Sequence, residues 1–170
     1  MSLDETPPPP SPEADPEIGR ITTNLKENIF YIGIDRPTKL NGFTPEMFKQ
    51  MAEAFTEYEN NTDALCALIF SHGPHFTAGI DFSLVMSLFS SVSSLPEGHK
   101  QEKMYRKICD LQQAFSALEH CRKPVIAAIH GSCIGGGIDL IAACDMRYAS
   151  VDSVFCVKEV DLSIVADIGT

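Results

Sequence analysis

A short apolar run that leads at once into a glycine-rich turn restricts the fold of this 170-residue chain more than any other feature. Val125–Ile129 has the length and composition of a buried strand. Residues 131–137 then predict a turn, and the residues that follow predict a helix to about Ala143. Glycines let a backbone approach a ligand closely, and the first N–H groups of a helix form the positive end of its dipole. The pattern is therefore typical of an anion or oxyanion site, although spacing alone leaves a structural tight turn equally open.

Composition and the missing fingerprints exclude several classes of function. The glycine run matches neither G-x-G-x-x-G nor the Gly-Lys-Ser/Thr ending of a phosphate-binding loop, so these two kinds of nucleotide site are disfavoured. A net charge of −10 makes nucleic acid an unfavourable partner. No apolar run reaches the roughly 18 residues that a membrane-spanning helix needs, so we expect no membrane partner. The six cysteines include no C-x-x-C pair, so we expect no metal and interpret them as reduced, buried thiols.

Strand and helix signals alternate along the rest of the chain, which predicts βαβ units with parallel pairing in an α/β fold. Residues 1–18 are acidic and proline-rich and predict a disordered tail, whereas residues 19–170 predict one domain. The predicted strands are 28–35, 65–70, 125–129, 146–149 and 154–157. The predicted helices are 45–58, opened by Thr44 and Pro45, then 82–89, 101–121 and the helix ending near 143.

Two further segments carry chemistry. Residues 75–82 follow a predicted strand, and Gly79 would let a backbone N–H there face a ligand. Asp139, Glu159 and Asp167 are carboxylates placed within apolar stretches. Such a carboxylate is paired, exposed at a turn or held in a reactive site, and for each one alone a cap or structural ion pair remains open.

Taken together, these segments resemble the crotonase, or enoyl-CoA hydratase/isomerase, superfamily from about residue 21 to residue 170. The matching runs are Arg36-Pro37 with Lys39-Leu40-Asn41, then residues 76–81, residues 123–131 and residues 135–137. The resemblance implies a crotonase-like ββα spiral that is incomplete at the C-terminus, because the chain stops at Thr170, just after the third acidic residue. Within the superfamily, the runs 135–140 and 157–170 are most similar to Δ3,5-Δ2,4-dienoyl-CoA isomerases.

The resemblance also implies a set of site residues. Its catalytic acids fall on Glu159, Asp167 and Asp139, and its two oxyanion donors on the backbone N–H groups of Ile80 and Gly136. Contacts with CoA and substrate fall on Lys39, Leu40, Asn41, Ala78, Gly79, Asp81, Phe82 and Gly137. No separate cofactor is implied, since CoA is part of the substrate. The resemblance further implies a homo-oligomer, a trimer or hexamer, for full-length members of the family, and a location in peroxisomes or mitochondria.

Three functional hypotheses follow from this resemblance. The first is an isomerase of fatty-acid β-oxidation that moves the double bonds of 3,5-dienoyl-CoA to give 2,4-dienoyl-CoA. Its oxyanion donors would stabilise an enolate while carboxylates transfer protons. The second is an enoyl-CoA hydratase or another crotonase-family enzyme, in which a water would lie between the acids at 139 and 159. The third is a catalytically inactive form that lacks the C-terminal portion of the fold.

Overall fold

A five-stranded sheet in the order β1-β2-β3-β4-β6 and a two-stranded sheet of β5 and β7 organise the protein. The computed structural model describes residue 15, residues 17–166 and residues 168–169. The strands are β1 (Arg20–Lys26), β2 (Ile29–Asp35), β3 (Cys66–Ser71), β4 (Val125–Ile129), β5 (Ser132–Ile134), β6 (Met146–Ala149) and β7 (Val154–Cys156). The helices are α1 (Pro45–Asn60), α2 (Phe82–Val92), α3 (Glu97–Glu119), α4 (Gly136–Ala142) and α5 (Lys158–Asp161).

The parallel pairing expected from the alternating pattern is confirmed for β2, β3, β4 and β6, and for β5 with β7. Strand β1 was not predicted. It pairs antiparallel with β2 over its whole length and is half-buried to exposed, so its polar residues give no strong apolar signal.

Helix α1 begins where the sequence predicts. The Thr44 hydroxyl accepts a hydrogen bond from the Met47 N–H at 3.2 Å, and Pro45 fills the first helical position, where an N–H has no intrahelical partner. One face of α1 is buried, by Met47, Phe48, Met51, Ala54, Phe55 and Tyr58. This face joins the core formed with the sheet and with Phe115 and Leu118 of α3.

The structure corrects several predicted boundaries. The turn predicted over residues 131–137 contains strand β5, because that segment gains a tertiary partner in β7. Helix α3 begins four residues before the predicted start, and the short helix α5 was not predicted. The tail predicted over residues 1–18 lies mostly outside the described residues. Among its described residues, the Asp15 carbonyl accepts backbone hydrogen bonds from the Ile18 and Gly19 N–H groups at 3.1 and 3.0 Å.

The structure also shows where the cysteines lie. Cys133 and Cys144 are buried and the other four thiols are half-buried. Burial raises the pKa of both the Cys133 and the Cys144 thiol to about 12, which keeps them protonated near neutral pH.

None of the helices among the described residues is long and apolar enough to cross a membrane.

Candidate active site

The loop that follows β3 is held against β5 by Thr77. The Thr77 N–H donates to the Ser132 carbonyl at 2.9 Å, and the Ile134 N–H donates to the Thr77 carbonyl at 3.1 Å. The buried Thr77 hydroxyl donates to the Asn41 carbonyl at 2.7 Å and accepts the Gly79 N–H at 3.0 Å. The conformation of this loop is therefore fixed by backbone and side-chain bonds before it reaches Ile80.

Ile80 is oriented by a short parallel bridge to Phe43. The Phe43 N–H donates to the Gly79 carbonyl at 2.8 Å, and the Asp81 N–H donates to the Phe43 carbonyl at 3.0 Å. In such a bridge the residues on either side make the bonds, so the N–H of the residue between them points the other way. The Ile80 N–H consequently faces away from Phe43, and it donates no hydrogen bond to another described residue.

The glycine run brings a second backbone donor to the same place. Gly135 has φ 55° and ψ −126°, a conformation that a residue with a Cβ rarely adopts. Gly136 is the first residue of α4, where an N–H has no intrahelical acceptor. A Cβ placed on Gly79 would lie 3.3 Å from the Gly136 nitrogen and only 2.7 Å from the Ile134 carbonyl oxygen. The segments that carry the two predicted donors thus touch, and a side chain at position 79 would push them apart.

Two of the three predicted acids lie on either side of this glycine pair. A Cβ on Gly135 would lie 3.0 Å from Glu159 Oε1, and a Cβ on Gly136 would lie 3.9 Å from Asp139 Oδ2. Asp139 is only 3% exposed and Glu159 is half-buried. The parallel pairing of β5 with β7 places Glu159 here, because it brings the chain after Cys156 beside the chain after β5, whereas Asp139 follows Gly136 on the same helix.

The third predicted acid, Asp167, lies outside the described residues. Its neighbours Ile168 and Gly169 are described, and Ile168 is buried. A Cβ on Gly169 would lie 3.3 Å from the Asp139 Cβ and 3.3 Å from Phe115 Cδ2. The chain that follows residue 167 therefore runs along the same side of α4 as Asp139.

A buried arginine holds the loop that contains Ile80 in place. Arg36 is 5% exposed, and its Nη1 lies 2.5 Å from Asp81 Oδ2 and 2.8 Å from the Gly42 carbonyl oxygen. Asp81 also caps α2 by accepting the Ser83 N–H at 2.8 Å. Hydrogen bonds from Ser83, together with the Arg36 guanidinium, lower the pKa of Asp81 to about 2. The ion pair thus fixes the residue directly after Ile80.

The residues predicted to contact CoA fall on two adjacent loops. The Ala78 N–H donates to the Leu40 carbonyl at 2.9 Å, which joins residues 39–41 to residues 78–82. Lys39 pairs with Glu17 at 3.0 Å, and Leu40 and Phe82 are 50% and 67% exposed, so these side chains are accessible.

Asn41 and Gly137, two other predicted contact residues, are buried within the protein. The Asn41 side chain accepts the Arg36 N–H at 2.8 Å and donates to the His72 and His75 carbonyls at 2.7 and 2.8 Å. A Cβ on Gly137 would lie 2.4 Å from Thr77 Cγ2. The Asn41 side chain is therefore used in bracing two loops, and Gly137 provides close packing between α4 and the loop.

An apolar cavity of about 380 Å³ opens beside Ile80. It is bounded by α2, α3, residues 163–165 and Ile168, and its lining residues are Ile80, Val85, Leu88, Phe89, Met104, Ile108, Leu111, Ser163, Ile164, Val165 and Ile168. Sequence periodicity identified Met104, Ile108 and Leu111 as an apolar face but did not assign them to a cavity. The α2 residues were missed, although the apolar residues at 85, 88 and 89 carried a signal.

Comparison with known proteins identifies the family. The sequence model described as enoyl-CoA hydratase/isomerase matches residues 24–170. A peroxisomal Δ3,5-Δ2,4-dienoyl-CoA isomerase from Arabidopsis thaliana is 45% identical over 151 residues, which is 88% of this chain and 54% of that protein. A mitochondrial Δ3,5-Δ2,4-dienoyl-CoA isomerase from Homo sapiens is 38% identical over 152 residues, 87% of this chain and 45% of that protein. The chain thus spans about half the length of the curated relatives it matches.

Solved structures agree on the fold. A crotonase from Legionella pneumophila superposes with a TM-score of 0.78 at 24% identity, covering 89% of this chain and 55% of that one. An enoyl-CoA hydratase from Thermobifida fusca in complex with acetoacetyl-CoA superposes with a TM-score of 0.73 at 27% identity, covering 88% and 58%. The expected crotonase-like α/β architecture is confirmed, and the chain belongs to the enoyl-CoA hydratase/isomerase family.

Proposed function

We propose that this chain carries the thioester-holding and proton-transfer site of an isomerase that converts 3,5-dienoyl-CoA into 2,4-dienoyl-CoA in fatty-acid β-oxidation. One observation supports this most strongly. The Ile80 segment contacts Gly136, and the Glu159 and Asp139 carboxylates lie beside Gly135 and Gly136, next to an apolar cavity that Ile80 lines. The two relatives with this activity in their names support the same reaction.

The Ile80 and Gly136 N–H groups hold the thioester oxygen in this proposal. When a proton leaves C2, the carbonyl becomes an enolate and negative charge develops on that oxygen. Two preorganised donors stabilise this charge, each by roughly 3–4 kcal/mol if judged from the loss of a single oxyanion donor in another enzyme. Because Ile80 lies in a braced loop and Gly136 begins helix α4, the two donors need little rearrangement as the charge appears.

The carboxylates move the proton in this proposal. Loss of the C2 proton shifts the electrons along the chain, so that the double bonds at C3 and C5 become double bonds at C2 and C4 when C6 is protonated. Glu159 and Asp167 act as the base and the acid, and Asp139 orients or tunes them. The net reaction neither oxidises nor reduces the substrate, so it needs no redox cofactor, and CoA enters as part of the substrate.

We further propose that CoA lies across the two joined loops, 39–41 and 78–82. Lys39 is the accessible cation there and would attract a CoA phosphate. The hydratase from Thermobifida fusca was solved with acetoacetyl-CoA, which supports an acyl-CoA ligand for this fold. The names of the relatives also support action in peroxisomes or mitochondria, which imaging of the tagged native protein in its own cells would test.

A single assay tests the reaction and separates it from hydration. The folded chain is mixed with 3,5-octadienoyl-CoA, and formation of the conjugated 2,4-dienoyl product is followed by its absorbance. A parallel sample receives 2-octenoyl-CoA, whose absorbance falls if water adds to the double bond. The proposal predicts isomerisation that is faster than hydration. A folded protein that only hydrates, or that does neither, contradicts it.

Three variants locate the chemistry. Glu159→Gln and Asp167→Asn are each expected to slow isomerisation by about a hundred-fold or more, the usual scale for a lost general acid or base. Asp161→Asn is the matched control, since Asp161 lies on the same short helix as Glu159 and pairs with Lys158 at 2.8 Å on the surface. Near-normal rates in both Glu159→Gln and Asp167→Asn would show that the acids are wrongly assigned.

A further inference from the structure

A second groove, larger than the apolar cavity, lies next to it. This groove of about 1050 Å³ runs between α1, α2 and α3. On α2 it is lined by Leu84, Ser87, Leu88 and Ser91, and on α3 by Lys107, Asp110, Leu111 and Gln113. The cavity beside Ile80 uses different faces of the same helices, through Val85, Leu88 and Phe89 on α2 and Met104, Ile108 and Leu111 on α3.

Leu88 and Leu111 line both spaces. Each stands at the edge of two faces of its helix, because residues three or four apart share a face and these two belong to both sets. Both side chains are half-buried and pack against the core. The cavity and the groove are therefore separated here by one leucine side chain from each helix.

We propose that Leu88 and Leu111 form a partition that sets the upper limit on the length of the acyl chain. This inference rests on the proposed function, which places the thioester at Ile80 and the acyl chain in the cavity. An acyl chain that fills the cavity contacts the two leucines. A longer acyl chain gains no further apolar contact unless the two leucine side chains move aside. Beyond it, Phe48, Ala52 and Leu84 offer apolar lining in the groove.

The physical basis is the gain from burying each methylene. That gain corresponds to about a four-fold decrease in Kd per buried methylene. Affinity should therefore rise with chain length while the tail is still entering the cavity. It should level off once the tail reaches Leu88 and Leu111.

Binding measurements on the unmodified chain give the first test. Saturated acyl-CoA thioesters from four to sixteen carbons are used, because they bind without reacting, and Kd is measured by calorimetry below the concentrations at which they form micelles. The partition predicts a plateau before sixteen carbons. A steady gain in affinity through hexadecanoyl-CoA would overturn it, because no barrier would then be present.

Variants give the second test. Leu88→Ala and Leu111→Ala, singly and together, should raise the preference for hexadecanoyl-CoA over octanoyl-CoA by about ten-fold or more, the worth of two further buried methylenes. Leu84→Ala is the matched control, because Leu84 lies on α2 and lines the groove but not the cavity. It should leave that preference unchanged. Equal preferences in all variants, or the same increase in the control, would overturn the partition.

Failure of this inference and failure of the proposed function give different results. If the unmodified, folded chain binds no acyl-CoA of any length, the proposed function falls and the partition falls with it. If it binds acyl-CoA with no plateau or no response to the two leucines, only the partition falls. The Kd values of the unmodified chain test the partition even where a leucine variant does not fold.

Discussion

Arg36 Nη1 lies 2.5 Å from Asp81 Oδ2, and this part-buried ion pair links the loop before Leu40 to the residue that follows Ile80, the predicted oxyanion donor. The same nitrogen donates to the Gly42 carbonyl, and the rest of the guanidinium donates to the Glu17 carbonyl. A planar cation with several donors can satisfy this many acceptors at once, which a lysine ammonium cannot do in the same geometry. The loop that contains Ile80 is therefore held by a side chain that is itself buried in the protein.

Removal of this arginine should destabilise the protein strongly. Arg36→Ala is expected to lower the free energy of unfolding by about 3–5 kcal/mol, because it leaves Asp81 and the loop carbonyls without their partner. Arg106→Ala is the matched control, since Arg106 pairs with Glu102 at 2.7 Å on the exposed face of α3 and should cost less than about 1 kcal/mol. Denaturant unfolding measures both, and equal losses would contradict a structural role for the buried pair.

Asp81 should also make stability depend on pH in the acid range. Its folded pKa of about 2 lies below the ordinary 3.8, so the folded state favours the ionised form. The stabilisation is fully present above about pH 4 and is lost as the pH falls towards 2, with a total of about 2 kcal/mol. Asp81→Asn should remove this part of the pH dependence. Parallel stability curves for the two proteins between pH 4 and pH 2 would exclude the effect.

Gly135 should not accept a side chain. Gly135→Ala is expected to destabilise the protein by about 1–3 kcal/mol, because φ is 55° and the new Cβ would lie 3.0 Å from Glu159 Oε1. It should also weaken acyl-CoA binding, since the change lies beside the Gly136 donor. Gly98→Ala is the matched control: nothing lies within 4 Å of a Cβ at this exposed position in α3, and the change should stabilise the helix by about 0.5–1 kcal/mol. Thermal unfolding distinguishes the two variants, and a tolerated alanine at position 135 would contradict the strained turn.

The sequence predicts the regular elements well where local signals are strong. Helix α1 has a capping Thr44, a proline at its first position and one apolar face, and strand β4 is a short apolar run. Strand β7 lies within the predicted strand over residues 154–157, whereas β5 was missed because it forms in a glycine-rich segment and depends on its pairing with β7.

The roles and contacts of the site residues were harder to predict from the sequence, because several of them depend on residues that are distant along the chain. Spacing left Asp139 and Glu159 open as structural charges, and only the family resemblance assigned them roles. The contact of Glu159 with Gly135 depends on the register that pairs Ile134 with Cys156, whereas Asp139 lies near Gly136 because both belong to α4. The bracing by Arg36 was likewise hidden, because its partner Asp81 lies 45 residues away along the chain.

The proposed hydrogen bonds from the Ile80 and Gly136 N–H groups to the thioester oxygen can be measured through the carbonyl stretch of a bound acyl-CoA. Hydrogen bonds to a carbonyl oxygen weaken the C=O bond, so isotope-edited infrared spectra of octanoyl-CoA labelled with ¹³C at C1 should show a lower frequency when the thioester is bound. Replacing the Gly136 amide by an ester through semisynthesis removes that N–H and should reverse part of the shift, as should the same change at Ile80. The same replacement at Gly98, in the first turn of α3, should leave the shift unchanged. A bound thioester that absorbs at its free frequency, or equal spectra for the Gly136 and Gly98 esters, would contradict the proposed hydrogen bonds to the thioester oxygen.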